Sequence, residues 1–426
     1  MHGLVSITTL TVVTMLACSS SKPAPNSPGE AEDPLAAGLV RWNAGDAAGA
    51  MAAADARLVG APDDGAALDL RMKALFVRGD YRAALDAFAK IPASYRDRNK
   101  AATLAVEAHL HLDDAAAAAV LARELGLESA GYLTQRAAKP FAVEADRTYL
   151  VPFLEGGKIP VEFFPGVTGK LNGLPAEIRF DTGGTFLVMG EAAAEKYGVE
   201  LGHEFDGMHA ATAVKVSRGI AFELTFDGGP RFVNVPVDVM EDLGDLVIFG
   251  TNILERFLTT VDYPNRRFVL TPRDRGDLRE AHLALLPAER RTLPFSMWGD
   301  HYMFAKGSFG EYEGLNLFFD SGLVAITVVD GKAVQAPFTA SKQALISWGF
   351  DEAQLTGKSF LPSGKPLGAA GLSQPDTLIF FDPALDEDRD FGGVRIHGLI
   401  SHAWLDDYTW TIDFDAMEYT FGVKAR

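Results

Sequence analysis

The chain has 426 residues, of which 48% are apolar, and its 39 Lys and Arg against 57 Asp and Glu give a formal net charge of −18. This apolar content excludes wholesale disorder, and an acidic chain without a Lys/Arg-rich run is not expected to have nucleic acid as its main partner. A single cysteine excludes a disulfide bond within the chain. The length predicts two or three domains.

The N-terminal segment has the features of a targeting signal. Leu4 to Ala17 form a short apolar run, of the length found in the central part of a signal peptide, and the run ends at Met15-Leu16-Ala17-Cys18. Small or apolar residues directly before a cysteine resemble the bacterial lipobox, in which the cysteine becomes the lipidated first residue of the mature protein. We therefore expect residues 1–17 to be a lipoprotein signal peptide and Cys18 to carry the lipid. A simple secretory signal with an unmodified Cys18 is the alternative.

Residues 18–34 are rich in Ser, Pro and Ala and lack apolar periodicity, which predicts a flexible tether behind a lipid anchor. Ser19, rather than Asp, follows the cysteine, and this is similar to the signals that sort lipoproteins to the outer membrane of Gram-negative bacteria. We therefore expect a lipid-anchored protein of the cell envelope, held at the bacterial outer membrane and facing the periplasm or the cell surface.

The sequence of residues 35–140 predicts an all-α helical repeat. They are rich in Ala, with apolar residues at three- and four-residue spacing. Gly45-Asp46 recurs as Gly79-Asp80, and the same offset reaches Asp113-Asp114. This period and the Gly-Asp-Tyr-x-x-Ala-Leu pattern resemble tetratricopeptide-like helix-turn-helix repeats. Such repeats either bind a protein partner or support a neighbouring domain, and the sequence leaves both roles open.

Beyond about Asp146 the sequence changes to short apolar strands separated by Gly, Pro and Asn, and it contains a duplication. In each copy an apolar strand runs into an Asp-Thr/Ser-Gly motif, first Asp181-Thr182-Gly183-Gly184 and then Asp320-Ser321-Gly322-Leu323. Each motif is followed by a later apolar segment, Leu246 to Leu254 in the first copy and Gly398 to Leu405 in the second. One such motif is weak evidence, whereas two copies in the same order are a specific pattern.

The two copies resemble the lobes of retropepsin-like aspartic proteases, fused in one chain as in pepsin-like enzymes. The resemblance implies a multidomain chain, with an all-α tetratricopeptide-like helical repeat followed by a mainly-β bilobal aspartic protease fold. We expect lobe 1 at residues 150–275, an interlobe linker at 276–292 and lobe 2 at 293–426. By resemblance, Asp181 and Asp320 are the catalytic pair, and the residues that support them are Thr182, Gly183, Ser321 and Gly322.

Two carboxyl groups suit peptide hydrolysis, because one carboxyl cannot activate a water and protonate the leaving amine at the same time. Two carboxyls within hydrogen-bond distance share one proton, since like charges so close cannot both ionise. The ionised member acts as general base and the protonated member as general acid. The resemblance implies no cofactor and no metal, an extended peptide or protein as substrate, and a monomer, since one chain supplies both aspartates.

Three positions depart from the family pattern. Family members commonly have Ser, Thr or Ala directly after the Gly, where a hydroxyl bonds the carboxylate and lowers its pKa, but here the residues are Gly184 and Leu323. We therefore expect an optimum closer to neutral pH than that of pepsin-like enzymes. Ser401 replaces the expected Gly in the second supporting strand. The segments that we expect to form flaps are Gly207 to Ala210 and Gly368 to Leu372.

Three functional interpretations remain. The first is a membrane-tethered aspartic endopeptidase whose cleft binds an extended peptide by strand-like pairing. The second is a degenerate protease fold, kept as a module that binds peptides or proteins, with the helical repeat as a second contact surface. The third is a one-lobe enzyme that dimerises, although the duplicated lobe makes a second chain unnecessary. Intact motifs in both copies favour the first.

Overall fold

The computed structural model describes residues 33–156, 160, 162–209, 212–383 and 390–423, without the side chains of 207–213. The predicted signal peptide, Cys18 and the tether up to residue 32 lie outside the described residues, so their assignment stays a prediction. Within the described ranges, no helix has both the length and the apolar character that a membrane crossing requires.

In the described chain, seven helices precede the first strand. They are α1 Pro34–Asn43, α2 Ala47–Gly60, α3 Gly65–Phe76, α4 Tyr81–Lys90, α5 Arg98–His111, α6 Ala115–Glu124 and α7 Ala130–Ala138. The predicted helical region is therefore confirmed as a succession of short helices.

The sequence period of this region coincides with its turns. The first residue of each repeated pair, Gly45, Gly79 or Asp113, has a positive φ, of 76°, 78° or 59°. The Asp that follows it is the N-cap of the next helix. In two of the three turns its carboxylate accepts a hydrogen bond from the N–H three residues on, which satisfies a backbone donor at the helix start. The period thus marks helix pairs, and the more specific tetratricopeptide-like classification stays a prediction.

The rest of the described chain is mainly β. The strands of its first half are β1 Ala142–Glu144, β2 Tyr149–Pro152, β3 Gly166–Leu171, β4 Leu174–Phe180, β5 Leu187–Gly190, β6 Glu200–His209, β7 Thr212–Phe226, β8 Arg231–Met240, β9 Val247–Phe249, β10 Phe257–Asp262 and β11 Arg267–Pro272. Those of its second half are β12 Arg290–Trp298, β13 Tyr302–Phe309, β14 Tyr312–Asp320, β15 Ile326–Val329, β16 Lys332–Gln335, β17 Phe338–Thr339, β18 Ser359–Pro362, β19 Leu367–Ala369, β20 Leu372–Gln374, β21 Leu378–Phe381, β22 Asp390–Phe391, β23 Val394–Arg395, β24 Gly398–Ser401, β25 Tyr408–Asp413 and β26 Glu418–Val423. Short helices lie between them: α8 Glu191–Lys196, α9 Thr251–Leu254, α10 Arg279–Leu283, α11 Lys342–Ser347 and α12 His402–Leu405.

Two large sheets organise these strands. An eight-stranded sheet has the order β1-β8-β5-β9-β4-β3-β7-β6. A fourteen-stranded sheet has the order β18-β21-β17-β24-β14-β13-β12-β26-β25-β10-β11-β2, with β19 pairing with β13 and β20 with β19. The first strand, β1, pairs with β8 and so already belongs to the eight-stranded sheet. A three-residue strand is too short to show an alternating pattern in the sequence.

Strands β10 and β25 join the two copies within the fourteen-stranded sheet. They run antiparallel, with Thr260 opposite Thr411 and their hydroxyl oxygens 2.7 Å apart. Both threonines occupy the same place in a repeated Thr-Val/Ile-Asp segment. The pairing therefore relates the two copies by a local twofold axis. Asp262, which ends β10, accepts hydrogen bonds from Asn265 and Arg267, as expected for a turn residue.

One edge of the helical repeat contacts the β region at each of the three turns that carry the repeated residue pair. A Cβ on Gly45 would lie 2.4 Å from Asn316 Oδ1, and one on Gly79 would lie 3.2 Å from Met417 Cγ. The third turn is held by an ion pair of 2.5 Å between Asp113 and Arg256. The sequence leaves two roles open for the repeat. The structure supports the role of packing against a neighbouring domain, which here is the β region. Binding of a separate protein partner stays a prediction.

Apolar packing strengthens this contact. Trp42 is 3% exposed, and its Nε1 donates a hydrogen bond of 2.7 Å to the Gly392 carbonyl. It belongs to a buried cluster with Phe318 and Leu323, which lie on either side of the second Asp-Ser-Gly motif, and with Leu399 of the supporting strand. The helical repeat therefore covers apolar surface directly behind that motif.

We expect Trp42→Ala to destabilise the whole chain by about 3 to 5 kcal/mol, the typical cost of removing a buried aromatic side chain. The exposed helical residue Val59, which is 89% exposed, provides the control, and Val59→Ala is expected to change the free energy of unfolding by less than about 0.5 kcal/mol. Urea unfolding followed by far-ultraviolet circular dichroism measures both. Equal stability of the two variants would contradict the packing described above.

Candidate active site

Two parallel strand pairs deliver the two aspartates. β4 ends directly before Asp181 and lies parallel to β9, and the Asp181 N–H donates a hydrogen bond of 3.0 Å to the Phe249 carbonyl. β14 ends at Asp320 and lies parallel to β24, with Asp320 opposite Ser401. The supporting strands β9 and β24 are buried along their whole length, as parallel strands usually are. The duplicated sequence therefore forms duplicated local structure.

Hydrogen bonds between the lobes lock the two motif loops together. Thr182 Oγ1 donates to the Phe319 carbonyl at 2.7 Å and accepts from the Ser321 N–H at 3.0 Å. In return, the Thr182 N–H donates to Ser321 Oγ at 2.9 Å. Both side chains are fully buried, so each bond replaces water that the groups have lost. The predicted supporting hydroxyls are thus placed between the lobes.

The loops bring the two predicted catalytic carboxyls into contact. The carboxyl groups of Asp181 and Asp320 both lie against Gly183, where an added Cβ would be 2.9 Å from Asp320 Oδ1 and 3.1 Å from Asp181 Oδ1. Each also accepts from its own loop, Asp181 Oδ1 from the Gly183 N–H at 2.6 Å and Asp320 Oδ1 from the Gly322 N–H at 3.0 Å. A Cβ on Gly322 would lie 2.1 Å from Asp181 Cγ, and one on Gly183 would lie 2.9 Å from Asp320 Oδ1. Both positions therefore require glycine, since the opposite carboxyl occupies the space.

The surroundings favour a protonated Asp181. Burial, followed by the charge of Asp320, raises the pKa of Asp181 well above its ordinary value. The backbone N–H groups of Gly183 and Gly322 oppose this rise because they stabilise the carboxylate. Both aspartates are fully buried. A shared proton between them is the arrangement that acid–base catalysis by a carboxyl pair needs.

The supporting strands differ at one position, and the structure accommodates the difference. In lobe 1 a Cβ on Gly250 would lie 2.1 Å from the Gly184 carbonyl oxygen, so only glycine fits there. In lobe 2 Ser401 ends β24, and its Oγ donates to the Ala336 carbonyl at 2.7 Å. The serine therefore has room and a partner, and its presence does not distort the second strand pair.

The two residues that follow the motifs have different surroundings. A Cβ on Gly184 would meet the Asp181 carbonyl oxygen and Val188 at 3.5 Å, which is ordinary contact, so this position has room for a larger residue. Leu323 is fully buried in the cluster with Trp42. Leucine at this position is thus explained by packing beneath the helical repeat, which the sequence alone did not indicate.

The first predicted flap lies at the end of the β6–β7 hairpin. Its last residue, Ala210, lies outside the described residues, and the side chains of Gly207 to His209 are not described. A few residues from the tip, Phe205, Val214 and Val216 pack with Val188 and Val324, which follow the two motifs. This outer half of the hairpin therefore lies next to both motif loops. The second predicted flap coincides with the β19–β20 hairpin.

One supporting residue was not identified from the sequence. Thr251 Oγ1 donates to the Thr182 carbonyl at 3.0 Å, and its N–H donates to the Gly184 carbonyl at 3.0 Å. It begins α9, directly after the supporting strand, and so fixes the back of the first motif loop. The only sequence signal is its place after Gly250, which is insufficient without a structure.

Comparisons with known proteins agree with part of this assignment. A family model described as aspartyl protease matches residues 167–253, a segment that contains Asp181 and Gly250 but not Asp320. Among solved structures, the chain is similar to a retropepsin-like aspartic protease from Rickettsia conorii, at 15% identity and a TM-score of 0.21 over 31% of this chain and 92% of that one. This second similarity is too distant to support a conclusion. No curated protein matches the chain in sequence.

We expect Thr182→Val to weaken the contact between the lobes. The change keeps the side-chain shape but leaves the buried Phe319 carbonyl and Ser321 N–H without their partner, at a cost of about 1 to 3 kcal/mol for each group. Thr182→Ser retains the hydroxyl and is the control. Urea unfolding measures the difference, and a valine variant as stable as the serine variant would show that these bonds do not hold the lobes.

We expect Asp181→Asn to stabilise the chain at neutral pH. Because the pKa of Asp181 is raised in the folded state, stability is greatest below the ordinary value of about 3.9 and falls as the pH rises through the raised value. The asparagine variant lacks this loss, so its advantage should be about 1 to 3 kcal/mol near pH 7 and vanish near about pH 3.

The control for this measurement is Asp262→Asn. Asp262 is also buried, but its carboxylate accepts hydrogen bonds from Asn265 and Arg267, so its removal should destabilise the chain at neutral pH. Thermal unfolding across the pH range gives both curves. A destabilised Asp181→Asn at neutral pH would mean that the two carboxyls do not repel each other in the folded chain.

Proposed function

We propose that the protein is an aspartic endopeptidase that hydrolyses peptide bonds with the Asp181–Asp320 pair. The observation that carries this proposal is the close approach of two buried carboxyls, each delivered by one copy of a duplicated strand pair. The aspartyl protease family match to the first copy supports it. In a structural ion pair, a cation lies beside a buried carboxylate. Here two acids face each other. This arrangement does not stabilise a fold, but it suits acid–base chemistry.

The pair would act with one shared proton. Because burial and the charge of Asp320 raise the pKa of Asp181, we assign the shared proton to Asp181 and the role of base to Asp320. Asp320 removes a proton from a water molecule as its oxygen attacks the carbonyl carbon of the peptide bond, and Asp181 gives its proton to the carbonyl oxygen. The resulting tetrahedral diol breaks its C–N bond when Asp320 passes the proton it has taken to the leaving nitrogen and Asp181 recovers its own. Both carboxyls therefore end the reaction as they began it.

Access to the pair requires movement of the β6–β7 hairpin. Neither carboxyl has exposed surface, while the outer half of this hairpin packs beside both motif loops. In the described sheet β6 is an edge strand that pairs on one side with β7. An edge strand suits the binding of an extended peptide by backbone hydrogen bonds. Opening of the hairpin would admit such a peptide, and its closure would exclude bulk water.

We further propose that a lipid on Cys18 holds this enzyme at the cell envelope, at the bacterial outer membrane, and that a single chain is active. The monomer is favoured because both aspartates come from one chain. A binding module without catalysis is the alternative, and it is favoured by the complete burial of the pair and by the absence of a hydroxyl at Gly184 and Leu323.

Cleavage of a mixed peptide library between about pH 4 and 8, read by mass spectrometry, separates these functions. We expect the parent to cleave peptides, with an optimum nearer neutral pH than in pepsin-like enzymes, because the raised pKa of Asp181 extends the range in which one proton is shared. Asp181→Asn and Asp320→Asn should each reduce the rate by about 1,000-fold or more.

Asp376→Asn is the matched control, because Asp376 is exposed and its φ of 49° is one that asparagine adopts readily. Loss of cleavage with only one of the two catalytic substitutions would reject the shared pair. A folded parent that retains peptides but cleaves none at any pH would establish the binding module instead.

A further inference from the structure

A second polar site lies where the helical repeat meets the β region. It is a cavity of about 50 Å³, with room for about three to five water molecules at roughly 10 to 15 Å³ each. Helices α5 and α7 form one side, while strands β7 and β8 and the segment at α9 form the other. Asp300, between β12 and β13, also lines it. Neither Asp181 nor Asp320 is in its walls, so it is distinct from the carboxyl pair.

Most of the charged groups in these walls already have partners. The pairs are Arg218 Nε with Asp238 Oδ1 at 3.0 Å, His111 Nδ1 with Glu255 Oε1 at 2.8 Å, Asp300 Oδ1 with His301 Nδ1 at 2.5 Å, and Arg256 with Asp113 at 2.5 Å. These interactions fix the positions of the surrounding side chains and neutralise their charges.

Two opposite charges are left over. Glu107 lies on α5 one turn before His111, and Arg136 lies on α7, with its guanidinium carbon 5.0 Å from the centre of the Phe186 ring. Among the described residues, neither side chain has a hydrogen bond or an ion pair. Arg136 is near enough to lower the pKa of Glu107, yet the two do not touch. A carboxylate and a guanidinium thus line one cavity without meeting.

Without a ligand, ionised Glu107 costs free energy in this position, because its carboxylate is withdrawn from bulk water. Withdrawal from bulk water, followed by the charge of Asp300, raises the pKa of Glu107 to about 7, although His111, Arg218 and Arg136 act in the other direction. Two more acceptors on the same wall, Glu255 Oε2 and Asn252 Oδ1, are buried and have no partner in the described part of the chain. Since buried polar groups are normally hydrogen-bonded, this wall has an excess of acceptors that a donor would relieve.

We propose that the cavity binds a small zwitterion, a free α-amino acid with a short side chain, whose ammonium group pairs with Glu107 and whose carboxylate pairs with Arg136. A simple anion would satisfy only the arginine, a simple cation would satisfy only the acidic wall, and water would neutralise neither. The small volume favours a short ligand such as glycine or alanine. The described residues hold no group of three or more acidic, His or Cys side chains arranged for a metal ion.

Occupation of this site would connect three parts of the chain, because its walls come from the helical repeat, from lobe 1 and from Asp300 of the second copy. A ligand that binds the folded chain but not the unfolded chain shifts the unfolding equilibrium toward the folded state. The site does not depend on peptidase activity, so it is testable whether or not the protein cleaves peptides.

Calorimetric titration of the full chain at about pH 7.5 tests the proposal. Glycine and alanine are expected to bind saturably and to raise the melting temperature, while acetate and methylammonium, which carry one charge each, bind at least about tenfold more weakly. Glu107→Gln and Arg136→Gln should each weaken glycine binding by about tenfold or more. Glu107→Gln removes the costly acid, so its melting temperature without ligand should not fall.

Matched controls are Glu124→Gln and Arg82→Gln, which change the same residue types at exposed positions of the helical repeat and should leave glycine binding unchanged. A crystal structure of the parent with glycine should show the ligand between Glu107 and Arg136. The proposal is overturned if glycine gives no saturable binding, if acetate or methylammonium binds as tightly, if both cavity variants bind like the parent, or if the crystal shows only water.

Discussion

Contact between the carboxyls of Asp181 and Asp320 is the constraint that the rest of the β region satisfies. Two buried acids repel each other unless they share a proton, so the chain must hold them together against their own electrostatics. The interlobe bonds of Thr182 and Ser321 provide this restraint at the loops, and the pairing of β10 with β25 provides it at the sheet below. The backbone N–H groups of the two motif glycines donate hydrogen bonds to the carboxyls, which lowers the free-energy cost of the negative charge that the pair keeps.

The sequence predicted this site because a carboxyl pair of this kind leaves a local pattern twice. Asp, a hydroxyl residue and Gly must be adjacent, since they form one loop, and an apolar strand must precede them. The helical region was also predictable, because its turns need a residue of positive φ followed by an N-cap Asp. In both cases the requirement involves neighbours in the chain, which a sequence displays directly.

Features made by distant residues were not predictable in this way. Thr251 supports the first motif loop from a position 69 residues beyond Thr182. Leu323 looks like a departure from a family pattern until the structure shows it packed in one cluster with Trp42. The polar cavity is assembled from helices and strands that no local pattern connects, and Glu107 resembles any other helical glutamate in the sequence. Each of these depends on how the helical repeat is placed against the lobes.

The contacts of three helical turns with the β region limit how the number of repeats can vary among relatives of this protein. Free solenoid arrays gain and lose whole repeats readily, since each unit touches only its neighbours. Here Gly45, Gly79 and Asp113 each meet a different residue of the lobes: Asn316, Met417 and Arg256. Insertion or deletion of one repeat would place every later turn opposite the wrong residue of the lobes. We therefore expect the number of repeats to be fixed wherever this docking is kept, and to vary only where the repeat has detached.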